Sequence, residues 1–261
     1  MRPPASRPAT TDDAAPASGR TGCASAPSRV PRSADALRST TPGDGPPRAA
    51  FADQRVLTLG RIGRKTSVPR PRSLTLPIAL QRRSHAAGVY DMARNEAWVS
   101  VGRDHDTPAF AVASIRQWWT RMGRRAYPQA TALYITADAG GSNGYRSRAW
   151  KRGLQQLADD LGLRIHVSHF PPGTSKWNKI EHRLFCHITQ HWRGRPLRTF
   201  ETVVTLIGCT RTAAGLRVKA KLDKRRYATG VIVTAAEMRG LALHPNTFHG
   251  DWNYELRPRT S

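Results

Sequence analysis

The sequence predicts an α/β fold, a mixed sheet flanked by helices, on three observations. Residues 132–137 form a short apolar run that stops at the glycine cluster Gly140-Gly141-Ser142-Asn143-Gly144, as a buried strand does. Stretches on either side of it repeat apolar residues at helical spacing. The order hairpin, helix, strand, helix, strand then calls for a mixed sheet covered on both faces.

The elements follow in chain order. Residues 1–85 hold 12 of the 19 prolines, no Trp, no Tyr, and 15 basic against five acidic residues. So few large apolar side chains cannot offset the ordering entropy, so a disordered basic segment is expected through about residue 50. Val56-Leu57-Thr58-Leu59 and Leu74-Thr75-Leu76 offer short strands at best. Val89-Tyr90 and Trp98-Val99-Ser100-Val101 are joined by a polar link of hairpin length. Thr107-Pro108 is an N-cap followed by proline at the first helical position. Phe110, Val112, Ile115, Trp119 and Met122 continue that helix until Gly123. A second helix runs from Ser147 to Leu161, closed by Gly162, before the strand pattern Ile165-His166-Val167. After Pro171-Pro172-Gly173 a third helix is expected from Lys176 to Trp192, with Trp177, Ile180, Leu184 and Ile188 on its sheet-facing stripe. Phe200–Cys209 reads as one more helix, and Ala235–Leu241 as a short one.

Charge bounds the partners. With 42 Lys+Arg against 18 Asp+Glu, the formal net charge is +24. That excess points to nucleic acid rather than a membrane, and no apolar run is long enough to span a bilayer. Cys23, Cys186 and Cys209 are too far apart for a metal-ligand motif, so reduced thiols and a cytoplasmic, nucleoid-associated location are expected.

Two acids stand apart from this background. Asp138 ends the 132–137 strand, where ligands of open α/β sheets collect. Glu181 falls on the apolar stripe of the third helix, where a lone carboxylate needs a cation. Two such carboxylates suit a hard divalent ion and phosphoryl transfer. An ion pair for Glu181 and a turn cap for Asp138 are the plain alternatives. The glycine cluster matches neither phosphate-loop spacing, and His187 and His191 lack the Glu and third ligand of a zinc helix. His166 and His169 flank the end of the third strand. The Lys219–Arg226 basic run is either a solvated face or a contact to the DNA backbone.

At these residues a resemblance becomes legible. Thr136 to Gly144 and the phrase His169-Phe170-Pro171-Pro172-Gly173-Thr174-Ser175-Lys176-Trp177-Asn178-Lys179-Ile180-Glu181-His182 closely resemble bacterial DDE transposases of the Rhodopirellula type. The resemblance covers about residues 86–258. It implies a ribonuclease-H-like core over 86–195 and a carboxy-terminal helix and basic tail over 196–261. It also implies two Mg²⁺ or Mn²⁺ ions, with Asp138 and Glu181 as catalytic metal ligands. DNA is the implied partner, both insertion-sequence ends and target, with Lys176, Asn178, Lys179, His182 and Arg146 against it. A homo-oligomer on that DNA is compatible with the resemblance. The first acid of the family is missing, since residues 55–65 contain no Asp and Asp53 precedes the apolar run. The expectation is therefore a degenerate or partial copy without a proper first strand, in frame only from about Ala86. Asp91, Asp104 or Asp106 would stand in as third ligand, and the alternative is a non-catalytic, basic DNA-binding remnant.

Overall fold

The computed structural model describes residues 54–62 and 85–259, within one compact unit spanning 47–261. The segment expected to be disordered through about residue 50, the run Leu74–Leu76, Asp53 and Cys23 lie outside the described residues. Among the described residues eight strands form one mixed sheet in the order β6-β3-β2-β1-β4-β5-β8-β7.

The expectation of a missing first strand is corrected here. β1 (Gln54–Ile62) is present and central. It pairs in parallel with β4 (Ala132–Ala137), Thr58 opposite Thr136, and antiparallel with β2 (His85–Asp91), Gly60 opposite Gly88. Its local pattern is weak, but both of its edges are hydrogen-bonded, and Leu57 and Leu59 enter the core. Tertiary pairing overrides local preference here.

β2 and β3 (Glu96–Gly102) form the expected hairpin. β5 (Arg164–His169) extends the parallel set beyond β4. The residues after 195 complete the same sheet. β6 (Arg217–Asp223) runs parallel to β3, while β7 (Leu243–Pro245) and β8 (Asn253–Leu256) lie outside β5. The two edges are therefore β6, whose Arg217, Lys219 and Lys221 are exposed, and the three-residue β7, which ends in Pro245.

One sheet face is covered by α1 (Pro108–Trp118) and α2 (Arg148–Leu161). Thr107 caps α1 by accepting the Phe110 N–H, and Pro108 starts it. Gly123 does not stop this helix, which continues through a π-helical turn (Trp119–Gly123) to Ala126. A Cβ at Gly123 would come within 2.8 Å of the Trp118 and Trp119 rings, so its role is close packing. α2 has the expected ends, with the Ser147 cap and Gly162 at φ 64°.

On the other face, Ile180, Leu184, Phe185 and α3 (Cys186–Trp192), with α4 (Phe200–Gly208), pack on Tyr90, Val99 and Val101. Among the described residues this face is only half covered, where cover on both faces was expected. Over β4, β5 and β8 it shows the half-buried polar side chains Tyr134, Thr136, His166, Ser168 and Glu255. Tyr134 and Ser168 hydroxyls bond at 2.6 Å, and the Tyr134 and His166 rings stack. α5 (Ala235–Arg239) is a short capped turn of helix near α2. Among the described residues no helix is long and apolar enough to cross a membrane.

Asp223 locks β6 to α1. It is 5% exposed and accepts hydrogen bonds from Gln117, Arg225 and the Tyr227 hydroxyl. Burial alone would raise its pKa, but the bonds from Arg225 and Tyr227 prevail and hold it down to about 2. A depressed folded pKa stabilises the fold above the unfolded value, and that stability drains away as pH falls through the folded one. Wild type should therefore lose about 2 kcal/mol between roughly pH 4 and pH 2 that Asp223→Asn does not lose. Urea unfolding of both proteins across that range checks this.

Candidate metal and nucleic-acid site

The site lies at the carboxyl ends of β1 and β4. Asp138 follows the last residue of β4, just where the chain leaves the sheet. Asn178, fully buried, reaches it from the loop ahead of Ile180. Its amide donates to Asp138 Oδ1 (3.0 Å) and to the Leu59 carbonyl of β1 (2.9 Å). Its Oδ1 faces the Ile180 N–H at 3.4 Å, and its backbone carbonyl accepts the Glu181 N–H at 3.1 Å. One residue thus joins two strand ends to the start of the segment that carries Glu181. Glu181 opens a π-helical turn (Glu181–Phe185) that runs into α3. Burial, and then the nearby charge of Asp138, push its carboxyl above the usual range. The two acids far apart in sequence are electrostatic neighbours.

The expected helix from Lys176 is interrupted. Ser175–Trp177 is a separate 3-10 turn, and Trp177 is 57% exposed rather than on the sheet-facing stripe. Ile180, Leu184 and Ile188 do take that stripe. Two paired glycines let the segment come this close. A Cβ at Gly60 would meet Ile180 Cγ2 at 2.4 Å, and one at Gly88 would meet Phe185 at 2.8 Å. Glycine inside a strand pattern marks such an approach, and that signal was present in the sequence.

The third carboxylate is where the site falls short. Continuing the Thr58–Thr136 register by two residues sets Gly60 level with Asp138, so β1 brings no acid to this place. Asp91 is not a substitute. It sits opposite Leu57, toward the far end of β2, where it accepts from the Ala93 and Arg94 N–H groups and the Tyr127 hydroxyl. It caps the hairpin. Asp104 pairs with His105. Asp106 is at the correct end of the sheet, but its carboxylate accepts the Ser142 hydroxyl at 2.8 Å. Among the described residues no three His, Cys, Asp or Glu side chains cluster to hold a metal. Mg²⁺ takes one or two carboxylates directly, so two carboxylates are a donor set that suits such an ion.

His169 fixes the other side of Asp138. Its Nδ1 lies 3.0 Å from the Asp138 carbonyl, and its Nε2 lies 3.1 Å from the Tyr254 hydroxyl, which accepts the Trp150 indole N–H. The carbonyl can only accept, so Nδ1 carries a proton, and a neutral ring then takes the Tyr254 O–H on Nε2. Burial accordingly lowers its pKa to about 4. The network was not legible from the sequence, because its members are 31 to 104 residues apart.

In front of Asp138 opens a cleft of about 650 Å³, walled by Gly140, Gly141, Tyr145 and Arg146 on one side and Pro171, Pro172 and Gly173 on the other. Arg146 on its wall is exposed, and so are Lys176 and Lys179 in the segment that follows Gly173. His182 is exposed too, and its Nε2 bonds back to the Lys176 carbonyl. Asn178 is buried behind Asp138 and therefore holds that carboxylate rather than a nucleic acid.

An α/β sheet with one acid at a strand end beside a cleft, and a second on the helical segment packed against that end, is an arrangement suited to the class of cation-assisted phosphoryl-transfer proteins. The chain belongs to the Rhodopirellula transposase DDE domain family, whose model matches residues 64–258. The match opens upstream of residue 86. None of the curated proteins matches the chain.

Removing the Asn178 side chain would take the buried donor from the Leu59 carbonyl and one hydrogen bond from Asp138. Asn178→Ala should cost about 2–3 kcal/mol, measured by urea unfolding. A loss below about 0.5 kcal/mol would show that the two strand ends do not depend on this clamp.

Proposed function

We propose that the chain is the core of a DDE transposase with a ribonuclease-H-like fold, working on insertion-sequence DNA with its strand-cleaving chemistry impaired. The observation that carries this reading is the convergence of Asp138 and Glu181, through Asn178, at one end of the sheet. The hairpin beside a parallel strand set, flanked by helices, supports the fold assignment. The family implies a DNA substrate, and the net charge of +24 suits it.

Asp138 and Glu181 would hold one Mg²⁺ or Mn²⁺ ion. Such an ion supplies Lewis-acid polarisation of a scissile phosphate. The chain's own residues do the rest. Asn178 and His169 orient Asp138 from two sides. Lys176, Lys179, His182 and Arg146 lie where a DNA backbone would run, and their contacts should weaken with salt. Glycine at position 60 removes one carboxylate from the set, which weakens ion binding and leaves in-line transfer inefficient. That same glycine favours a second reading, a DNA-binding remnant without chemistry. In either case the protein would be nucleoid-associated, and any oligomer would assemble on DNA.

A nicking assay on supercoiled DNA separates the two. Wild type should show slow, Mn²⁺-dependent nicking above the Asp138→Ala background, and Mn²⁺ should raise its Tm but not that of Asp138→Ala. Equal background in both proteins, with no metal-dependent Tm shift, would leave only the binding remnant.

A further inference from the structure

A row of rings leads out of the Asp138 cleft. It starts at His169, whose ring contacts Tyr145 at 6.2 Å between centroids. Tyr145 lines the cleft together with Asp138 and lies 5.9 Å from Trp252. His249 stacks on Trp252 at 5.3 Å and 21° between ring planes, and Phe248 packs edge-on to His249 at 4.4 Å. The row begins buried and ends in solvent, with Phe248 71% exposed. At its inner part the Arg146 guanidinium sits 5.2 Å from the Tyr145 centroid.

The outer end is held rigidly in a costly conformation. His249 has φ 48°, in the left-handed region that a side chain rarely adopts. Its carbonyl accepts the N–H groups of Trp252 and Asn253, both at 2.9 Å. Asn246 accepts the Phe248 N–H, and the Asn253 amide donates to the Phe248 carbonyl at 3.0 Å. Asn253 begins β8, so this turn is anchored to the sheet. Backbone strain retained beside a cleft, with a large apolar ring pointing into water, does nothing for folding.

We propose that these rings form a stacking ledge for an unpaired nucleobase of the DNA held in the cleft. Aromatic rings beside a cationic groove are how proteins grip single strands, because every base has a π face. Bases inside a duplex are already stacked on each other, so only a frayed or overhanging base can reach Phe248 and His249. Arg146, at the inner end of the row, would hold a phosphate of the strand nearer the cleft. The ledge rests on the reading that DNA lies across the Asp138 cleft, and it adds which structural state of the DNA is preferred.

Anisotropy binding of the full chain to a blunt duplex, and to the same duplex with a short unpaired thymidine tail, tests this. The tailed duplex should bind about fivefold more tightly or better. A 2-aminopurine placed in the tail should be quenched on binding. Phe248→Ala should bring the tailed duplex down to the affinity of the blunt one and abolish the quenching. His249→Gly should do the same while raising Tm, because glycine accepts the positive φ, so lost binding could not be ascribed to unfolding. Equal affinity for both duplexes, or a tail preference untouched by both variants, would overturn the ledge and leave the transposase reading standing. No binding to any DNA would overturn that reading and the ledge with it.

Discussion

The amide of Asn178 is the constraint on which the site depends. It is buried where β1 and β4 end side by side, and it satisfies one oxygen from each. A buried carbonyl and a buried carboxylate oxygen both need donors, and a single amide group supplies them. Because Glu181 follows three residues later, the same contact sets where the second acid begins. The approach of this segment then requires space, which Gly60 and Gly88 provide across a strand pair. The geometry of the acids is thus a packing result as much as an electrostatic one.

That packing also bears on why β1 brings no acid level with Asp138. The position on β1 level with Asp138 faces Ile180 and Phe185 across a gap that a Cβ would already overfill. A carboxylate could stand there only if the segment carrying Glu181 moved away. Absence of the acid and closeness of the helix are therefore one structural fact. Burial, and then the charge of Asp138, raise the proton affinity of Glu181, so a cation bound there would compete with a proton for the same oxygens.

Much of the fold could be read from local chemistry. Thr107-Pro108, Ser147 and Gly162 mark helix ends through their own backbone preferences, and the structure keeps them. The hairpin and the strand ending at Ala137 were equally plain, as were the two acids. What could not be read depends on partners distant in sequence. β1 has little strand character of its own and is made central by β2 and β4. Trp177 has helical spacing to Ile180, but the chain turns before it can use it. Gly123 looks like a stop signal and is instead a seat for two indole rings. Asp91 ends a strand as Asp138 does, yet β2 runs the other way, so it arrives at the opposite end of the sheet. Only strand direction distinguishes the two, and strand direction is not a local property.

The sheet edges have one further consequence. The exposed positions of β6 are Arg217, Lys219 and Lys221, and β7 is three residues long and finishes in a proline. Like charges along one border and a missing amide hydrogen at the other both discourage a neighbouring molecule from adding a strand. Copies of this protein gathered on one nucleic acid could crowd together without fusing into a continuous ribbon. Contacts between copies would then run through faces or loops rather than through backbone pairing.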